Sequence, residues 1–158
     1  KLDGQNLNIN AKVAGMDSLS QPAFIGRRQQ HTSFETSTSL LVPKGKISAG
    51  LVAFQNEQYH YYLGVKTAAG KTTVFLEQAK GGKPSLVSSK DLAANTEQLR
   101  LRVQGKAGEI SFYYAEQNGD WQQLGEVQDA KILSTQVAGG FVGTTLGVHA
   151  RQEKEAAP

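Results

Sequence analysis

The side chains best suited to chemistry in this chain are its 14 carboxylates and 3 histidines. Glycoside hydrolysis needs two carboxyls on opposite sides of one bond, and the supply is sufficient. Glu57, Asp91, Glu97, Asp120, Glu126 and Asp129, however, fall at turn or strand-end positions, where solvation accounts for them. His31, His60 and His149 lack the spacing of metal ligands, and lone histidines on strands are usually structural or exposed. The absence of cysteine excludes disulfides and cysteine metal sites. No Gly-x-Ser-x-Gly elbow, phosphate-cradling glycine loop or calcium loop is present. Catalysis by this chain alone is therefore poorly supported. No catalytic residue, metal or cofactor is expected, and a structural calcium has no support in the sequence.

Rings offer a second kind of chemistry. Trp121, just after Gln117-Asn118-Gly119-Asp120, reads as a core or lid tryptophan or as a sugar-stacking platform. Tyr59 and Tyr62 are the further stacking candidates, should the chain be an autonomous carbohydrate-binding module with its own glycan cleft. Phe141 stands apart. In the segment Val137–Ala150, read as one strand, Val142, Thr144, Leu146, Val148 and Ala150 share a core face. Phe141, Gly143, Thr145, Gly147 and His149 share the other, a nearly bare surface with one ring at its end. Glycine inside a strand often marks close approach by another backbone or a ligand. Packing of Phe141 beneath a loop explains the ring equally well.

These residues need strands to position them. Ala49–Val65 reads as a hairpin turning at Asn56-Glu57-Gln58, with Val52 and Phe54 on one face of its first strand and Tyr59, Tyr61, Leu63 and Val65 on one face of its second. It belongs at the centre of the core. Leu99, Leu101 and Val103 alternate with Arg100, Arg102 and Gln104, and Ile110, Phe112 and Tyr114 share a face of the next strand. Phe34–Val42 alternates likewise. Before it, Arg27, Gln29 and His31 alternate with Arg28, Gln30 and Thr32, so both faces are polar. That suits a solvated edge strand or a polar segment covered by another domain. Short strands at regular spacing, with no long helix pattern and no internal repeat, predict an all-β antiparallel β-sandwich. One domain over residues 1–150 and a charged tail over 151–158 are expected.

Charge narrows the partners. The net charge is +3, and the basic residues are scattered apart from Arg27-Arg28 and Arg100/Arg102, which argues against nucleic acid. No apolar run approaches membrane-spanning length. The chain opens on Lys1 without a signal-peptide pattern and is expected to be a piece of something longer. Periplasmic, extracellular and cytoplasmic locations are all compatible with it.

The segments FIGRRQQHTSFETSTSL, SAGLVAFQNEQYHYYLGV, ISFYYAEQNGDWQQLGEV and ILSTQVAGGFVGTTLGVHA together resemble the C-terminal domain of glycoside hydrolase family 43 β-xylosidases and α-arabinofuranosidases. The resemblance covers roughly Pro22 to Ala150. It implies a concanavalin-like jelly roll packed against a five-bladed β-propeller, which carries the catalytic carboxylates. It also implies that the aromatic matching AGGFVG, here Phe141, reaches the rim of the propeller's pocket. Arg27, Arg28, Gln29, Gln30, His31, Gly139 and Gly140 become candidates for contact with that propeller, and a xylo- or arabino-oligosaccharide the expected substrate. Where family members continue into a further strand, this chain has RQEKEAAP, expected to lack strand character.

Overall fold

The computed structural model describes residues 1–141 and 143–154, among which thirteen strands form, the longer ones mostly on alternating apolar residues. A small hairpin, β1 (Leu2–Asp3) and β2 (Asn6–Leu7), precedes the main body. Then follow β3 (Ala23–Arg28), β4 (Phe34–Leu41), β5 (Ile47–Asn56), β6 (Tyr59–Ala68), β7 (Lys71–Lys80) and β8 (Ser85–Leu92). The rest are β9 (Gln98–Lys106), β10 (Glu109–Glu116), β11 (Gln122–Gln123), β12 (Gln128–Asp129) and β13 (Thr145–Gln152). A 3-10 turn at Ala130–Leu133 and one turn of helix, α1 (Thr135–Ala138), lie between β12 and β13. One antiparallel sheet has the order β3-β13-β5-β6-β7-β8; the other has β11-β10-β9-β4, with β12 also on β10.

The two sheets pack face to face, as the sandwich reading predicts. Leu51, Ala53, Tyr61, Leu63, Val65, Val74 and Leu76 of the large sheet meet Leu99, Leu101, Val103, Ile110, Phe112 and Tyr114 of the small one. Tyr61 and Phe112 touch across the gap, their centroids 5.2 Å apart. The Tyr61 hydroxyl donates to the Asp129 carbonyl at 2.9 Å and accepts from Gln78 Nε2 at 2.8 Å. Burial pushes its pKa up to about 12.

The hairpin β5–β6 is central, with both its faces buried. Val52 and Phe54 lie opposite the inter-sheet core, in a second cluster with Met16, Tyr62, Phe75 and Phe24. Met16, on the segment before β3, is 3% exposed and covers these rings. Register explains the glycines here: Gly147 pairs with Gly26 and Val52, and Phe24 lies across that row. A β-carbon on Gly147 would come within 2.3 Å of the Ile25 carbonyl oxygen and 2.7 Å of the Phe24 ring. The strand glycines thus mark close approach, but by the chain's own ring and backbone, so the face is not bare.

The last strand departs from expectation at both ends. It starts at Thr145, after α1 and the loop that follows; Val142 lies outside the described residues. It continues through Arg151 and Gln152, opposite Ser48 and Ile47. The charged stretch therefore begins inside the sheet, because Arg151 has partners there. Its Nη1 and Nη2 donate to the two oxygens of Glu77 at 2.9 and 2.7 Å, and its Nε donates to Glu153 at 2.9 Å. Glu153 accepts from Ser48 Oγ, which also bonds the Tyr62 hydroxyl at 3.0 Å. The guanidinium lies 4.9 Å from the centroid of the Tyr62 ring. Burial opposes the Arg151 charge, yet the Glu77 carboxylate raises its pKa overall.

His149 packs edge-on against Tyr62, 5.1 Å between centroids, and its Nδ1 bonds the Ala23 carbonyl at 2.9 Å. Burial lowers its pKa from 6.5 to about 4, and burial lowers that of His60 as well. The unfolded chain therefore takes up protons at a pH where the folded chain does not. Stability should be complete above about pH 6.5 and decline as pH falls towards 4, by up to about 3 kcal/mol from His149. Chemical denaturation between pH 8 and pH 4.5 measures the slope. His149→Gln should flatten it.

Candidate functional site

Two stretches more than a hundred residues apart in sequence meet at one end of the large sheet. Arg28 pairs with Thr145 and Arg27 with Leu146, and the Gln29 amide donates to the Thr144 carbonyl at 2.8 Å. The polar run and the glycine-rich loop before β13 therefore lie side by side. Arg27 and Arg28 are the last residues of an edge strand; Gln29–His31 continue as loop, with Gln29 Nε2 donating to the His31 carbonyl at 2.6 Å. Alternation sends Arg28 into the outer row with Phe54 and His60, and Arg27 into the inner row with Ala53 and Tyr61. Both arginines are exposed. Ile25 shares the inner side with Val148 and Leu51 yet is 53% exposed, so the small sheet does not reach across β3.

The loop carrying Phe141 is held at its base. Ser134 caps α1 through its hydroxyl, which accepts from the Val137 amide at 3.4 Å and donates to the Lys131 carbonyl at 2.6 Å. Asn56 Nδ2, at the tip of the β5–β6 hairpin, donates to the Ala138 carbonyl at 3.2 Å. Thr144 Oγ1 donates to the Leu133 carbonyl at 3.0 Å. Between these anchors Gly139 and Gly140 take φ of 75° and 79°, which side chains with a β-carbon resist. Phe141 follows and is fully exposed, at 104% of a free residue's area. It sits on this loop and not on a strand. Beside the loop, Gln29, Phe34, Ile110, Leu133 and Thr144 line a mainly apolar recess of about 250 Å³.

The rings proposed as sugar platforms do not share a groove. Tyr62 is 1% exposed on the outer side of the large sheet, covered by Arg151, and cannot stack on a ligand. Tyr59 is half-buried against the inter-sheet core. Trp121 lies on the small sheet, with the guanidiniums of Arg100 and Arg102 at 4.9 and 4.4 Å from its ring centroid. Among the described residues, no group of three or more histidines or acidic side chains is placed to hold a metal. The Arg151 network escaped the sequence reading because nothing local marks Glu77 and Arg151 as partners.

A family profile described as the beta xylosidase C-terminal concanavalin A-like domain matches residues 2–157. The chain belongs to that family. A xylosidase/arabinosidase of Butyrivibrio fibrisolvens is 25% identical over 146 residues, which is 91% of this chain and 28% of that protein. Xylosidase/arabinosidase 43B of Humicola insolens is 27% identical over 161 residues, 94% of this chain and 30% of that one. Among solved structures, a GH43_12 protein retrieved from capybara gut metagenome superposes with a TM-score of 0.85 at 28% identity, over 90% of this chain and 28% of its own. A xylan beta-1,4-xylosidase from Bacillus halodurans C-125 shares the fold with a TM-score of 0.81 at 23% identity. The chain thus spans under a third of the length of these relatives. It matches the part of those proteins that the family's description places at the C-terminus of a beta xylosidase.

The backbone at Gly139 has φ 75° and ψ −174°, open almost solely to glycine. No atom lies within 4 Å of a β-carbon built there, so substitution meets strain without a clash. Gly139→Ala should destabilise the domain by about 1–3 kcal/mol in a chemical melt. An unchanged midpoint would show that the loop relaxes freely around Phe141.

Proposed function

We propose that this chain is the non-catalytic accessory domain of a xylan- or arabinoxylan-degrading hydrolase. It packs on a β-propeller catalytic domain and completes that domain's substrate pocket with Phe141. The observation that carries this reading is the ring itself: a phenylalanine in full solvent, on a loop hydrogen-bonded at its base, beside an exposed arginine edge. A large aromatic left in water costs stability and is normally buried. Here its burial surface is another domain or a bound sugar.

The neighbouring groups fit the same role. Arg27, Arg28, Gln29, Gln30 and His31 offer donors along the end of β3, and Gly139 and Gly140 let a partner backbone approach closely. The catalytic carboxylates belong to the propeller. Phe141 would close the rim of the pocket, exclude water and help orient the sugar. A carbohydrate-binding module working alone is the weaker reading, because Tyr59, Tyr62 and Trp121 lie on three separate surfaces.

Phe141→Ala should leave the melt of this chain within about 0.5 kcal/mol of the parent, as expected for an exposed side chain. In the full-length enzyme, kcat/KM on a short xyloside should fall about ten-fold, or 1.4 kcal/mol of transition-state stabilisation. Lost stability with unchanged kinetics would return Phe141 to an ordinary packing role. Arg28→Ala in the full-length protein should cost about 1–3 kcal/mol, the range for a charged hydrogen-bond partner removed from an interface. The same substitution in this chain alone should be silent, and equal melts in both settings would remove Arg28 from the interface.

A further inference from the structure

The small sheet turns a different surface to solvent. Register sets Arg100 between Ser39 and Ala115, Arg102 between Ser37 and Tyr113, and Gln104 between Glu35 and Ser111. Trp121 comes over this face from the β10–β11 loop, which is tied down by Arg100 Nη2 donating to the Gly119 carbonyl at 2.6 Å. The guanidinium of Arg102 lies 4.4 Å from the Trp121 centroid and 4.6 Å from that of Tyr113, and the guanidinium of Arg100 lies 4.9 Å from Trp121. Ring and cation therefore alternate: Tyr113, Arg102, Trp121, Arg100. All four side chains are half-buried.

Two like charges about 7 Å apart on one strand face repel each other. Rings attract cations through their quadrupoles but do not neutralise them. Among the described residues, the one carboxylate paired with either arginine is Glu35, 4.0 Å from Arg102 Nη1 and itself 54% exposed. Around the cations stand uncharged hydrogen-bonding groups: Ser37, Ser39, Gln98, Gln104 and Gln123, all exposed. The face thus carries two positive charges against one exposed carboxylate, together with aromatic surface and a ring of amides and hydroxyls.

We propose that this face binds a carboxylate-bearing sugar, a uronic acid. The carboxylate takes guanidinium N–H donors of Arg100 and Arg102, a pairing favoured by planar geometry and full charge. The pyranose lies against the aromatic edge, and its hydroxyls meet the surrounding amides. A neutral xylose chain supplies the hydroxyls without the charge and binds more weakly. An acidic peptide supplies the charge without the ring. No residue of this face belongs to the Phe141 surface, so the site stands or falls independently of the domain's role beside a propeller.

Trp121 is the sole tryptophan, so its fluorescence reports on this face alone. Titration of this chain with a xylotriose bearing a 4-O-methylglucuronic acid branch should change that fluorescence saturably, with Kd below about 1 mM. Xylohexaose and a glutamate peptide should each bind at least about ten-fold more weakly, and added salt should weaken the uronate complex. Arg102→Gln should weaken it about ten-fold at unchanged melting temperature. Should that variant unfold, Arg102→Lys keeps the charge, loses the fork and should still bind at least about five-fold more weakly. Equal binding of the neutral chain, equal binding of the peptide, or no response at 10 mM ligand, about ten times the expected ceiling for Kd, would each overturn the proposal.

Discussion

The Arg151 guanidinium, laid over the Tyr62 ring and forked onto Glu77, closes the outer side of the six-stranded sheet. Much else depends on that closure. A half-buried arginine needs a carboxylate in bidentate geometry to offset desolvation, and Glu77 on β7 supplies one. The ring below needs its hydroxyl satisfied, and Ser48 on β5 does so while also serving Glu153. One network therefore fastens β5, β6, β7 and β13 together from the outside, as the inter-sheet core fastens them from the inside. Met16 adds an apolar cover, which draws the N-terminal segment across the sheet.

Covering the middle of the large sheet on both sides leaves its exposed groups at the margins. At the β3 edge the small sheet stops short, so Ile25 and Arg27 face solvent from what is formally the inner side. At the same end, β13 can begin only after the chain has left the small sheet and crossed over. The 3-10 turn and α1 make that crossing, capped by Asp129 and Ser134. Phe141 is displayed on this connection, three residues before Thr144, whose carbonyl takes the Gln29 amide. The presentation of the ring follows from the route of the chain, with hydrogen bonds from Asn56 and Thr144 fixing its base.

The two sheets manage charge differently. On the large sheet Arg151 is matched by carboxylates and the buried histidines are held neutral, so the network is self-contained. On the small sheet Arg100 and Arg102 rest mainly against rings. The first arrangement suits a structural role and the second leaves charge available to a ligand.

By itself the sequence determined the strand alternation, the central hairpin, the Leu99–Gln104 strand and the family, because these rest on local period-two patterns and contiguous motifs. It also singled out Phe141 and the Arg27–His31 run as unusual, and the family resemblance grouped them on one contact surface. Tertiary structure decided which side of the hairpin meets the second sheet. Alternation reports that two faces exist and cannot rank them when both are buried, as Val52 and Leu51 both are. It also decided that Gly147 lies under Phe24, that the last strand starts at Thr145 and runs past Ala150, and that Trp121 joins two arginines instead of an open groove. Glu77 and Arg151 stand 74 residues apart. A pairing at that separation is set by sheet register, and register emerges only when all the strands compete for the same core.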